Sequence, residues 1–256
     1  MELSTIIGLV IALFSLVVGL ILGGGVVQKL FDPGSLLIVF GGTFGTLFIS
    51  YPLKAVLGLP RVVSLSIKKP GINYQDAIDL LVNLAQRARR DGLLTLEESV
   101  RSLDDEFLRK GLMLVIDGID SSTVRDILQT DLEMMGERHQ TGISMLESMG
   151  SFSPAMGLIG TVMGLVNALG NMTDPDVLAA AVSVAFLTTL WGCFASNVLW
   201  IPLANKLRAN DEAEDSVRRL MIEGILGIQA GQSPRIVREK LEAFLAPEAR
   251  AGEMGE

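Results

Sequence analysis

The sequence predicts an all-α integral membrane protein with four transmembrane helices, a helical cytoplasmic domain between spans two and three, and a helical C-terminal tail. Three observations predict it. Of 256 residues, 49% are hydrophobic and the mean hydropathy is +0.46, more apolar material than a soluble surface ordinarily leaves room for. It is gathered into four uncharged blocks, 3–22, 35–53, 148–172 and 177–205. Each can cross a hydrocarbon core of about 30 Å, which takes roughly 20 helical residues. The basic residues are unevenly placed. Of 21 Lys and Arg, twelve lie within 54–138 and eight within 206–250, while the connectors 23–34 and 173–176 hold only Lys29. Because orientation follows Lys and Arg and not net charge, the total of −8 does not oppose a cytoplasmic location for both basic regions and both termini.

The chain therefore divides into a first hairpin, 1–53, with spans at about 3–22 and 35–53. A cytoplasmic helical domain, 54–145, follows. The second hairpin, 146–204, has spans at about 148–172 and 177–204, and a cytoplasmic tail, 205–256, ends the chain. Only Met1 and Glu2 precede the first block. It lacks a basic leader and exceeds a signal-peptide core of about 7–15 residues, so it reads as a retained helix. Gly23, Gly24 and Gly25 end the first span, and Asp32-Pro33-Gly34 reads as a turn before the second.

Between the hairpins, Ala77, Leu80, Leu81, Leu84 and Ala88 recur at helical spacing, with Gly92 as a stop. Thr95 and Glu98 have the spacing of a capping box, in which hydroxyl and carboxylate cover free backbone N–H groups. Phe107, Leu108, Leu112, Val115 and Ile116 form another apolar face, and from Ser121 a long helical pattern runs into the third span. The fourth helix continues through Lys206 towards Gly231. Ser233-Pro234 then opens a last helix to about Leu245, and the end from Pro247 is expected to fray.

All four spans lack Asp, Glu, Lys, Arg and His, the side chains that mark an ion path in a bilayer. Either the chain moves no ions, or another polypeptide supplies the titratable group. The polar atoms available are hydroxyls: Thr161 in the third span, Thr188 and Thr189 in the fourth. Such hydroxyls commonly bond their own backbone one turn back, but three in adjacent helices also offer uncharged oxygen ligands to a cation. Gly157, Gly160 and Gly164 lie on roughly one side of the third span, and small residues so spaced let helices approach closely. Pro154 and Pro202, near the cytoplasmic ends of spans three and four, each remove a backbone hydrogen bond and favour a kink. Cys193 is the only cysteine, so no intrachain disulfide forms. No metal site, nucleophile–base pair or other catalytic constellation assembles, and an enzyme is the least supported class.

The layout and four ordered motifs resemble the MotA/PomA/MotP flagellar stator subunits. Residues 153–165 (SPAMGLIGTVMGL) look like that family's third-span motif. Residues 185–192 (AFLTTLWG), with Pro202 and Lys206, look like its fourth. Residues 87–98 are similar to its charged cytoplasmic segment, and 223–237 to its tail. The resemblance implies several A subunits, five in this family, around two copies of a B subunit whose single membrane helix carries an essential Asp. It implies that ion binding to that Asp drives rotation of the A ring against the rotor protein FliG. By motif position it implies rotor-facing charges at Arg89, Arg90, Glu97 and Glu98, conformational prolines at Pro154 and Pro202, and an ion path past Thr161, Thr188 and Thr189. Sodium-type members share Thr at positions 161 and 188, so transported sodium is expected, with the proton as the alternative; no resident cofactor, metal or nucleic acid is implied. The location implied is the bacterial inner membrane. Two rival readings are a proton-driven force transducer of the ExbB/TolQ class, which typically has three spans, and a membrane scaffold that conducts nothing.

Overall fold

The computed structural model describes residues 3–67 and 74–245, which form helices joined by short turns with no strand among them. The end from Pro247, expected to fray, lies outside the described residues. Two compact units result: Met1–Lys69 with His139–Asn210, and Pro70–Arg138 with Asp211–Glu256. Two long helices contribute to both, α8 (Ser121–Gly170) and α9 (Pro175–Gln229).

In the first unit, α1 (Leu3–Leu22) covers the expected first span and ends where Gly24 turns the chain at φ 77°. Its apolar side chains are exposed around the helix, Phe14 by 66% and Val10 and Ile11 more than half. A helix apolar on all sides needs lipid or protein around it. The next helix, α2 (Pro33–Ser50), contains a π turn at Leu37–Gly41. The expected turn at Asp32-Pro33-Gly34 is instead the start of this helix. The Asp32 carboxylate accepts from the Ser35 N–H at 2.6 Å and its hydroxyl at 2.7 Å, and Pro33 takes the first helical position. There a missing N–H costs nothing. The same Asp-Pro device opens α9, where Asp174 accepts from the N–H groups of Asp176 and Val177.

By length and composition α2, α8 and α9 can each cross a membrane, whereas Ile6–Leu22 of α1 is a shorter apolar helix. After α2, the short helices α3 (Leu53–Leu57) and α4 (Leu59–Ile67) bring Val56 and Leu59 against Leu47, Ile143, Leu146, Met149 and Ala204. Tyr51 and Ser148 share a 2.8 Å hydroxyl hydrogen bond beside this cluster.

The second unit is built from α5 (Tyr74–Asp91), α6 (Glu97–Arg101), α7 (Glu106–Ile116), α10 (Pro234–Glu242) and parts of α8 and α9. Ile78, Leu81, Leu108, Leu112, Leu128, Leu220 and Ile225 are its fully buried centre. Each such side chain taken out of water contributes about 1.5–3 kcal/mol. Gly111 and Gly224 admit this packing, since a Cβ at either would strike Ile225 or Leu81 at 2.5–2.6 Å. Asp105 caps α7 by accepting from the Leu108 N–H at 2.8 Å, and Ser233 caps α10. The expected capping box does not form. Gly92, at φ 92°, turns the chain into a 3-10 turn over Leu93–Leu96, so Thr95 is already helical and donates its hydroxyl back to the Gly92 carbonyl at 2.7 Å. The first residue before α6 is Leu96, with no side-chain cap.

Candidate functional site

The three glycines expected for helix packing line the seam between α8 and α9. A Cβ on Gly157 would meet the Thr188 carbonyl oxygen at 2.8 Å and Gly192 Cα at 3.3 Å. On Gly160 it would meet the Thr188 side chain at 2.6–2.9 Å, and on Gly164 Ala185 Cβ at 2.8 Å. Gly192 answers from the other side, 2.7 Å from the Ser153 carbonyl oxygen by the same measure. Between apolar helices in lipid no hydrophobic drive remains, so close packing and hydrogen bonds must hold such a seam.

That closeness sets the geometry of the hydroxyls. Thr161 Oγ1 lies 3.0 Å from both the Gly157 and Ala185 carbonyl oxygens and hydrogen-bonds the Thr189 hydroxyl. Thr188 and Thr189 also face the Ala185 carbonyl, at 2.9 and 3.4 Å. A carbonyl has two acceptor positions, one used by the helix itself. Three hydroxyl protons cannot all rest there, and each hydroxyl oxygen keeps lone pairs to offer. The structure thus brings Thr161 and Thr189 together, Thr161 half-buried and Thr189 exposed. Thr188 is fully buried against Gly160 and joins them only through the shared carbonyl. Uncharged oxygens grouped in this way suit a hard cation or a hydroxyl relay. Around them the chain exposes a broad apolar face, with Val166 65% and Phe186 71% exposed, the signature of a surface meeting lipid or another chain.

Both prolines sit in helices that continue through them. Pro154 is inside α8, and Pro202 lies two residues past Trp200, the end of the π turn Ala195–Trp200 of α9. Irregular turns of this kind accompany an interrupted backbone ladder.

The charged set lies in the second unit. Arg89 and Glu98 are exposed. Arg90 grips Asp91 with Nε and Nη2 at 2.8–3.1 Å, and that hydrogen bond holds the Asp91 carboxyl below its ordinary range. Glu97 pairs with Arg101 at 2.7 Å, one turn on. Arg90 and Glu97 are thus each matched by a local countercharge.

Sequence reasoning missed the Ala185 carbonyl as common acceptor, and it missed a set formed by the buried Thr43, Ser153 and Ser196 with the half-buried Trp200. A backbone carbonyl has no residue type to read, and the set joins residues more than 40 positions apart.

Residues 6–92 match the motility protein A N-terminal family, and residues 99–221 match the MotA/TolQ/ExbB proton channel family. The chain is 36% identical to motility protein A of Bacillus subtilis, over 98% of this chain and 93% of that one. It is 35% identical to chemotaxis protein PomA of Vibrio alginolyticus, covering both in full. Among solved structures, it superposes on a chain of C. jejuni MotAB with a TM-score of 0.92 at 33% identity, covering 97% of each. With the flagellar MotAB stator complex from Bacillus subtilis the TM-score is 0.91 at 36% identity, covering 98% of each. Likeness of this extent in sequence and in fold places the chain in the motility protein A family.

Proposed function

We propose that this protein is the A subunit of a flagellar stator, which with a B subunit forms an ion-driven torque generator in the bacterial inner membrane. The observation that carries the reading is the oxygen cluster of Thr161, Thr189 and the Ala185 carbonyl, set in apolar spans, 148–172 and 177–204, that contain no Asp, Glu, Lys, Arg or His. Such a site can pass a cation but cannot hold its charge alone, so it needs a partner helix bearing a carboxylate. In this reading α1 is the fourth membrane span beside α2, α8 and α9. Both termini and both basic regions are cytoplasmic, and five A subunits surround two B subunits. Thr161, Thr188 and Thr189 line the ion path, and Pro154 and Pro202 flex as the A ring turns. Arg89, Arg90, Glu97 and Glu98 meet FliG on the rotor.

Sodium is the ion we assign, because hydroxyl and carbonyl oxygens replace its hydration shell without adding charge. The test is swimming speed against sodium concentration at fixed pH, with Thr161→Val alongside. Speed should rise with sodium, and Thr161→Val should require more sodium for the same speed. Speed indifferent to sodium but sensitive to the proton gradient would make the proton the ion, and speed unchanged by Thr161→Val would remove the hydroxyl from the path.

A further inference from the structure

Pro154 has no N–H, so the helical hydrogen bond from residue 154 to the Gly150 carbonyl cannot form. A carbonyl left unpaired in an apolar interior is costly. In this structure it is not left so: Ser196 donates its hydroxyl to the Gly150 oxygen at 2.6 Å, across from α9. Ser196 is only 7% exposed and belongs to the π turn Ala195–Trp200. Gly150 admits the residue that follows that turn, since a Cβ there would strike Ile201 Cγ1 at 2.7 Å.

A second buried hydroxyl, Ser153, stands beside Pro154. Its Oγ lies 2.8 Å from the Met149 carbonyl oxygen, accepts from Trp200 Nε1 at 3.0 Å, and lies 3.2 Å from Thr43 Oγ1. Thr43 in turn bonds the Val39 carbonyl, inside the π turn of α2, at 2.6 Å. Three irregular places in these helices, the π turns of α2 and α9 and the proline of α8, therefore meet at one polar cluster, in which Trp200 donates to Ser153 and the Ser153 and Thr43 hydroxyl oxygens touch.

We propose that Ser196 is a positioning residue that closes the carbonyl opened by Pro154, and that Thr43, Ser153 and Trp200 complete a latch fixing how α2, α8 and α9 meet there. Its consequence for torque rests on the stator reading, because flexing of α8 at Pro154 strains the Ser196 bond first. The bond itself does not rest on it.

The test is a double-mutant cycle on the purified full chain in lipid nanodiscs. Pro154→Ala restores the N–H that the Gly150 carbonyl lacks, so Ser196→Ala should matter most while Pro154 is present. In the unsubstituted background Ser196→Ala should lower the thermal midpoint by about 2–4 °C, and Ser196→Thr, which keeps the hydroxyl, should restore it. In the Pro154→Ala background Ser196→Ala should lower the midpoint by less, because the Gly150 carbonyl then keeps its helical partner. An equal fall in both backgrounds, or none in either, overturns the proposal. In motors, Ser196→Ala should lower rotation speed per incorporated stator unit while the number of units is unchanged. Speed per unit equal to that of the unsubstituted chain overturns the positioning role. If the unsubstituted chain turns no motor, the stator reading fails, and the thermal cycle still decides the Ser196 bond.

Discussion

Replacing Gly157 with alanine should part the α8–α9 seam where backbone lies against backbone. The added Cβ would lie 2.8 Å from the Thr188 carbonyl oxygen, 3.3 Å from Gly192 Cα and 3.4 Å from the Thr188 carbonyl carbon. All three are backbone atoms, so no side chain can swing aside. An ordinary contact near 3.4 Å requires the helices to separate by about 0.6 Å, and a gap of about 0.5–1 Å forfeits a quarter to a half of each dispersion contact along it. The Gly160–Thr188 and Gly164–Ala185 contacts lie on the same seam and loosen with it. Overpacking of this kind costs about 1–3 kcal/mol. At about 2–4 °C per kcal/mol for a chain of this size, the thermal midpoint should fall by roughly 2–12 °C. The assay is thermal unfolding of the complex in nanodiscs, with Gly170→Ala as the control. A Cβ at Gly170, the last residue of the same helix, meets nothing within 4 Å. Equal midpoints for the two variants would refute the seam.

Two further predictions concern the second unit. Arg218 bonds both Asp105 oxygens at 2.6–2.7 Å, with its guanidinium 5.1 Å from the Phe107 ring centre. Arg218→Met should destabilise the full chain by about 2–3 kcal/mol, from lost charged hydrogen bonds and cation–π contact, as read by urea unfolding followed by circular dichroism. Arg90→Ala should raise the Asp91 carboxyl pKa towards its ordinary 3.8, as read by carboxyl-carbon NMR across a pH series. Because the folded value is the lower one, the pair contributes above the unfolded pKa and its contribution is lost as pH falls through the folded value. At neutral pH the variant therefore leaves the charge on Asp91 unchanged.

Much of the architecture was legible in the chain, for reasons that differ by element. An uncharged run such as 3–22 needs no neighbour to become a helix, because only internal backbone bonds satisfy its N–H and C=O groups away from water. The structure places α1 at Leu3–Leu22. The stop at Gly92 was legible because a positive φ favours a residue without Cβ. The capping box at Thr95 and Glu98 was misread. Its spacing is a local pattern that a 3-10 turn can equally satisfy, and the turn starting at Gly92 was decided by the packing of Leu96 into the core.

The hydroxyl site divides along the same line. Sequence alone determined that Thr161, Thr188 and Thr189 stand in apolar spans without Asp, Glu, Lys, Arg or His, since hydropathy and residue type are properties of the chain itself. It also determined the stripe of Gly157, Gly160 and Gly164, because helical periodicity fixes which residues share a face. Only the tertiary structure decided that Thr161 meets Thr189 while Thr188 turns into the seam, and that Ser196 answers the proline 42 residues before it. Hydrogen bonds between helices depend on their relative rotation and on π turns that shift the register. Close packing of side chains sets both, and no local pattern in the sequence encodes either.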